Sequence, residues 1–157
     1  MRPMKTMIVG AILAWAGVVA AAASADWVVG TWTLNAAKST FTPGPGPKSQ
    51  TRTYAQDSDG TSVTVTGVAA DGSAISQQST FKYDGKAYSW SGSPDFDALT
   101  LKRVNGNTVT AVLMKAGKKV GASTRTISGH GKVLTLSTTV TGGDGKTNKT
   151  VMVFDKQ

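Results

Sequence analysis

The sequence predicts an all-β protein, an antiparallel up-and-down β-barrel of about ten strands preceded by a signal peptide. Three observations predict it. Turn signals recur at short intervals from Asp59 onward, the segments between them alternate apolar and polar residues, and after residue 25 no stretch keeps a helical apolar period for three turns.

The first 25 residues differ in kind from the rest. Arg2 and Lys5 precede the apolar run 7–23, and Ala23-Ser24-Ala25 places small residues at both positions that a signal peptidase reads. Gly10 and Gly17 interrupt the run, whose length is at or below the roughly 17 to 25 residues of a spanning helix. Cleavage after Ala25 is therefore expected, with no stable membrane insertion afterwards. No cysteine follows the run, which excludes lipid attachment through an N-terminal cysteine. The chain thus divides into 1–25, signal peptide, and 26–157, one barrel domain that is periplasmic or secreted. With 39% hydrophobic residues in 157, one core can form without metals or crosslinks, and the absence of cysteine leaves burial and sheet hydrogen bonds to stabilise it.

Removal of the leader takes with it only two of the 17 Lys and Arg and none of the nine acids, so the domain stays basic. Its cations are scattered, with no aromatic residues interleaved into a basic stripe. Nucleic acid is not an expected partner, whereas weak attraction to anionic envelope surfaces is.

The turn signals are Asp59-Gly60, Asp71-Gly72, Asp84-Gly85, Asn105-Gly106, Gly117, Gly129-His130-Gly131 and Gly142-Gly143-Asp144-Gly145. Asx-Gly pairs tolerate the positive φ angles of tight hairpins. Between them lie strands at 27–35, 49–57, 62–69, 74–83, 87–91, 98–104, 108–115, 119–127, 133–141 and 148–154. Such a meander is best closed into a barrel, which removes exposed edges; an open sandwich is the other arrangement. Leu99 and Leu101, Leu134 and Leu136, and Val63 and Val65 alternate with polar residues and are expected to face inward. On the fourth strand Ile75, Gln77, Ser79, Phe81 and Tyr83 share one face that mixes apolar and polar groups. If it points inward, the barrel is partly wet and suited to a small molecule; if outward, it carries no such meaning.

Tyr88 and Trp90 share a face of the fifth strand, with Phe81 and Tyr83 just across the Asp84-Gly85 turn. Aromatic clusters in β proteins are mostly core, yet aromatics also line apolar pockets, so these residues and Gln77 are the candidate ligand contacts. Tyr54, flanked by Thr53 and Arg52, can point either way. Asp57-x-Asp59-Gly60 and Asp95-x-Asp97 resemble the start of a calcium loop, but a chain without glutamate cannot supply the closing bidentate ligand. The single His130 sits between two glycines, where nothing fixes its ring, and one histidine makes neither a typical zinc site nor an oriented general base. No catalytic residue, metal or cofactor is expected, and the chain does not read as an enzyme.

Val29-Gly30-Thr31-Trp32-Thr33-Leu34 resembles the Gly-x-Trp first strand of the calycin superfamily, the lipocalins and fatty-acid-binding proteins. The runs 123–127, 132–136 and 151–156 are similar to the closing strands of the fatty-acid-binding branch. The Gly-Thr-Trp start with the Pro-Gly-Pro loop also resembles small secreted bacterial proteins with a lipocalin-like domain of unassigned function. The resemblance implies a calycin-like barrel whose floor is closed by Trp32, with a cation from a late strand across its ring; Arg125 is the expected cation, and both residues join the ligand-contact candidates. Two departures limit it. Pro43, Pro45 and Pro47 forbid a full helical lid and leave a short rigid flap. The fatty-acid-binding branch holds a carboxylate through Arg-x-Tyr on its last strand, where this chain has Met152-Val153-Phe154. The expected function is therefore an exported barrel holding a small, mainly apolar, uncharged ligand. The alternative is an inhibitor-like interaction protein with a filled interior and no ligand, and interior volume separates the two.

Overall fold

A computed structural model of the chain describes residues 26–157. The expected signal peptide, with Arg2, Lys5 and the Ala23-Ser24-Ala25 site, lies outside the described residues. The strands are β1 (Gly30–Leu34), β2 (Thr40–Thr42), β3 (Ser49–Asp57), β4 (Gly60–Val68), β5 (Ala74–Phe81), β6 (Asp84–Ser89), β7 (Ala98–Arg103), β8 (Thr108–Lys115), β9 (Lys118–Ser128), β10 (Val133–Thr141) and β11 (Thr147–Lys156). Each of the ten expected strands has a counterpart. β2 is the addition, three residues too short to show alternation and followed at once by the Pro-Gly-Pro run.

Every neighbouring pair is antiparallel, in the order β5-β4-β3-β1-β11-β10-β9-β8-β7-β6. The chain is a meander except at one place: β1 lies between β3 and β11, which joins the first strand to the last. β11 serves two partners, pairing Phe154 and Lys156 with β1 and residues 149–151 with β2. This lays the flap along the barrel in place of a helical lid. A single short 3-10 turn, Ala36–Lys38, connects β1 to β2.

The barrel is nearly closed. Between β5 and the end of β6, one bridge holds the seam: Gln78 and Ser91 exchange backbone hydrogen bonds of 3.2 and 3.0 Å, and the Ser79 hydroxyl donates to the Ser89 carbonyl at 2.7 Å. Gly92 (φ +85°) follows the bridge, and a Cβ there would run into the Ser76 carbonyl, so glycine permits the close approach. A nearly closed antiparallel barrel of ten meander strands, with almost no helix, fits the calycin architecture that the sequence resembles.

The core follows the alternation. Val63, Val65, Leu99, Leu101 and Leu134 are buried as expected, with Leu136 half-buried beside them. The mixed face of the fourth expected strand points inward: Ile75 and Gln77 are half-buried, and Ser79 and Phe81 are buried. The same periodicity turns Gln50, Arg52 and Tyr54 of β3 into the barrel, each less than a tenth exposed, while Ser49, Thr53 and Ala55 face out.

Candidate functional site

The barrel interior is not filled. A cavity of about 470 Å³ runs through it, against the alternative expectation of a packed interior. Phe81, Trp90, Leu99, Leu101, Leu113 and Met152 supply apolar walls from five different segments. The cavity reaches the surface between the Pro43–Pro47 flap and the turn containing Ser93, Asp95 and Phe96. Phe41 anchors the flap, because Gly46 crosses so close over its ring that a Cβ there would collide with it.

Two guanidiniums line this cavity, Arg52 from β3 and Arg125 from β9. Arg52 donates through Nε to Gln50 Oε1 (3.0 Å) and through Nη1 to the Tyr54 hydroxyl (3.5 Å), and it lies 5.4 Å over the Phe154 ring. Arg125 donates through Nη2 to the Tyr83 hydroxyl (2.8 Å) and lies 5.4 Å from the centre of the Tyr54 ring. Its Nε is buried and has no hydrogen-bond partner. The cations of the cavity thus come from β3 and β9 and not from the last strand. Met152 and Phe154 indeed cannot bind an anion, but the inward register of β3 places Arg52 directly over Phe154.

Arg125 is braced from behind. The Tyr83 hydroxyl that accepts from it donates to Asp26 Oδ2 (2.8 Å), which also accepts from Arg103 Nη2 (2.9 Å), while Asp26 Oδ1 accepts from the Val28 amide (3.1 Å). Arg103 also stacks on the Tyr83 ring, 4.3 Å from its centre. Burial by itself would raise the Asp26 carboxyl's pKa, but the bonds from Tyr83, Val28 and Arg103 outweigh it and hold the group below the usual carboxylate range. Burial pushes the Tyr83 hydroxyl up. For Arg125, burial works against the charge, and Tyr54, Tyr83 and Asp26 more than offset it, so the guanidinium stays ionised inside the barrel.

Four of the seven expected contacts, Gln77, Phe81, Trp90 and Arg125, line the cavity. Gln77 fixes Trp90 by accepting its indole N–H at 3.0 Å, and Trp90 packs on Phe96 with ring centres 5.4 Å apart. Trp32, Tyr83 and Tyr88 do not line it. Trp32 is fully buried in the core, its Nε1 donating to the Val28 carbonyl at 2.7 Å. Tyr83 meets the cavity only through Arg125, and Tyr88 is tied to Asp84 of its own strand at 2.7 Å.

The expected Trp32–Arg125 pair does not form. The cation over Trp32 is Lys156, whose Nζ lies 5.2 Å from the ring centre. Register explains it: Lys156 is directly opposite Trp32 on the neighbouring strand, whereas β11 and β10 stand between β1 and Arg125's strand β9. The pattern expected a late-strand cation, and cross-strand pairing decided which one.

Gln50 and Arg52 on one side and Asp26 and Arg103 on the other were not among the expected site residues. The signal for the first two was the spacing Gln50-x-Arg52-x-Tyr54, which puts them on one face with Tyr54, a residue that the sequence left able to point either way. Among the described residues there is no group of three or more His, Asp, Cys or Glu that could hold a metal.

No family model matches the chain, and no curated protein does. Among solved structures, the chain is similar to zebrafish ileal bile acid-binding protein in complex with cholic acid, with a TM-score of 0.49 and 16% identity over 83% of this chain and 99% of that one.

Proposed function

We propose that the chain is an exported barrel that holds a small, mainly apolar molecule in its interior. The observation that carries this reading is the cavity of about 470 Å³, lined by aromatic and aliphatic side chains with a few polar groups converging on it. Its size and lining fall within the range of small-molecule sites, roughly 300 to 1,000 Å³. Small inward residues such as Ala111 leave the space open where larger ones would close it. An interaction protein with a packed barrel would have no use for this volume. The basic leader, the apolar run and the Ala23-Ser24-Ala25 site support export to the periplasm or beyond. The scattered positive charge of the domain supports weak attraction to anionic envelope surfaces and no nucleic-acid role.

Native mass spectrometry of protein purified from its own host tests the binding directly. The expected result is a mass adduct that is lost in Ala111→Trp, which fills the cavity. A bare chain in the native spectrum, with Trp90 fluorescence unmoved by titration with alcohols and acids of medium chain length, would overturn it. Export is tested by the intact mass: the chain from the cell envelope should begin at Asp26, and residues 1–25 still attached would refute the leader reading.

A further inference from the structure

We infer that the turn between β7 and β8 carries a self-modification site, at which Asn105 loses its side-chain amide to water through attack by the Gly106 backbone nitrogen, leaving aspartate or isoaspartate. The inference is independent of what the barrel holds. Asn105 and Gly106 are both exposed, and a Cβ built on Gly106 would meet no atom within 4 Å. Among the described residues nothing accepts a hydrogen bond from the Gly106 amide, so the attacking nitrogen is not engaged elsewhere. The electrophile is set by an Asx turn: the Asn107 amide donates to Asn105 Oδ1 at 3.1 Å, which folds the carboxamide back over the Gly106 peptide and draws electron density from Cγ. The other asparagines are placed differently. Asn35 donates to Asp155 and accepts from the Lys38 amide, Asn107 donates to the Ile127 carbonyl, and Asn148 is half-buried in β11. They precede Ala36, Thr108 and Lys149, whose side chains crowd the nitrogen that would have to attack, whereas glycine leaves it bare.

The chemistry needs only the chain and water. The Gly106 nitrogen gives its proton to solvent base and bonds to Asn105 Cγ; the Cγ–Nδ2 bond breaks, and Nδ2 leaves as ammonia with a proton from water, closing a five-membered succinimide. Water then adds to one of the two ring carbonyls. Opening at Cγ restores the main chain with an aspartate, and opening at the main-chain carbonyl routes the chain through Cβ and Cγ as isoaspartate. One water is consumed, one ammonia is released, one carboxylate is gained, and nothing is oxidised or reduced. The product reaches beyond the turn. Two residues earlier Arg103 holds Asp26, and two residues later Asn107 exchanges two bonds with Ile127 of β9: its carbonyl accepts from the Ile127 amide at 2.9 Å, and its Nδ2 donates to the Ile127 carbonyl at 3.1 Å. Isoaspartate lengthens the main chain between these two anchors and removes the Asx turn, so the Asn107–Ile127 pairing at the end of β9 loosens.

The test is a tryptic map of the purified chain after several days in mildly alkaline and in mildly acidic buffer. The segment 104–115 contains Asn105 and Asn107 and no aspartate, so isoaspartate found in it cannot come from the Asp-Gly turns. In alkaline buffer this segment is expected to gain about 1 Da, a hydroxyl in place of an amino group, located at Asn105 by fragmentation and with isoaspartate as the larger product. In acidic buffer the gain should be at least about tenfold slower, since the attacking nitrogen must lose its proton. Gly106→Ala keeps the turn, because the φ of Gly106 lies outside the left-handed region and the space beside it is open, and it should slow the gain at least about fivefold by crowding that nitrogen. Unfolding in guanidinium chloride should speed the gain no more than about threefold, because the folded turn already leaves the site open. In the modified chain, exchange of the Ile127 amide should quicken while that of Leu134 stays as it was; equal exchange of Ile127 before and after would overturn the coupling to β9. A gain that appears only after unfolding, a gain on Asn35, Asn107 or Asn148 in place of Asn105, or a Gly106→Ala chain that reacts at the wild-type rate would each refute the site.

Discussion

Arg125 reaches Asp26 through one atom, the Tyr83 hydroxyl, which accepts from the guanidinium at 2.8 Å and donates to Asp26 at 2.8 Å. The hydroxyl is thus used in both directions, as acceptor and as donor. Asp26, the residue directly behind the expected cleavage site, is thereby part of the fold and not a loose end. Its side chain is 5% exposed.

Removing that atom has a defined cost. Tyr83→Phe keeps the ring packed on Phe81 and under Arg103, but takes one acceptor from Arg125 and one donor from Asp26. The expected loss is about 1 to 3 kcal/mol, because buried charged groups are left short of partners. Urea unfolding should show it as a lower midpoint at unchanged slope; an unchanged midpoint would mean that water takes over both bonds.

Stability should fall on the acid side through Asp26. Its folded-state pKa is depressed below the ordinary 3.8, so it contributes stability that is fully present above that value and lost as pH falls through the folded value. The window is below about pH 4. Melting temperatures recorded from pH 6 downward should decline more steeply in the wild type than in Asp26→Asn, which has no proton to take up. Parallel curves would remove Asp26 from the account.

Lys156 should matter to the packing of Trp32 where Arg125 does not. Lys156→Met preserves the apolar stem and removes the charge over Trp32, with an expected loss of about 0.5 to 1 kcal/mol for a half-exposed cation–π pair. Thermal unfolding of the single variant measures it. A loss above about 2 kcal/mol would indicate a contact other than the one with Trp32.

The seam between β5 and β6 is the barrel's thinnest point, and Gly92→Ala should open it. The new Cβ meets the Ser76 carbonyl at a positive φ, a combination expected to cost about 1 to 3 kcal/mol. Hydrogen exchange should report lost protection at Gln78 and Ser91, whose amides hold the bridge, while β10 and β11 remain protected. Retained protection at Gln78 would place the give elsewhere.

The meander was legible because each strand carries its own evidence. Leu99-Thr100-Leu101-Lys102 and Val63-Thr64-Val65-Thr66 state their inward face locally, and Asx-Gly pairs mark where the chain reverses. The flap was legible in part: three prolines excluded a helical lid, but the pairing of β2 with β11 depends on a strand more than a hundred residues away. Gln77, Phe81 and Trp90 could be named from their clustering around one turn. Arg52 could not, since an arginine flanked by threonines is indistinguishable in sequence from a surface residue.

The sequence by itself determined the all-β class, the ten strands, their turns and the faces on which the aliphatic residues lie. These follow from φ preferences and a two-residue period, which act over a few positions. Only the tertiary structure decided which cation covers Trp32, that the interior stays open, and that Arg52 and Arg125 line one cavity. Each of those outcomes is a relation between strands far apart in the chain, set by pairing register and barrel closure. Burial of the Arg125 charge becomes tolerable only when the remote partners Tyr83 and Asp26 arrive together. No local pattern encodes that arrival.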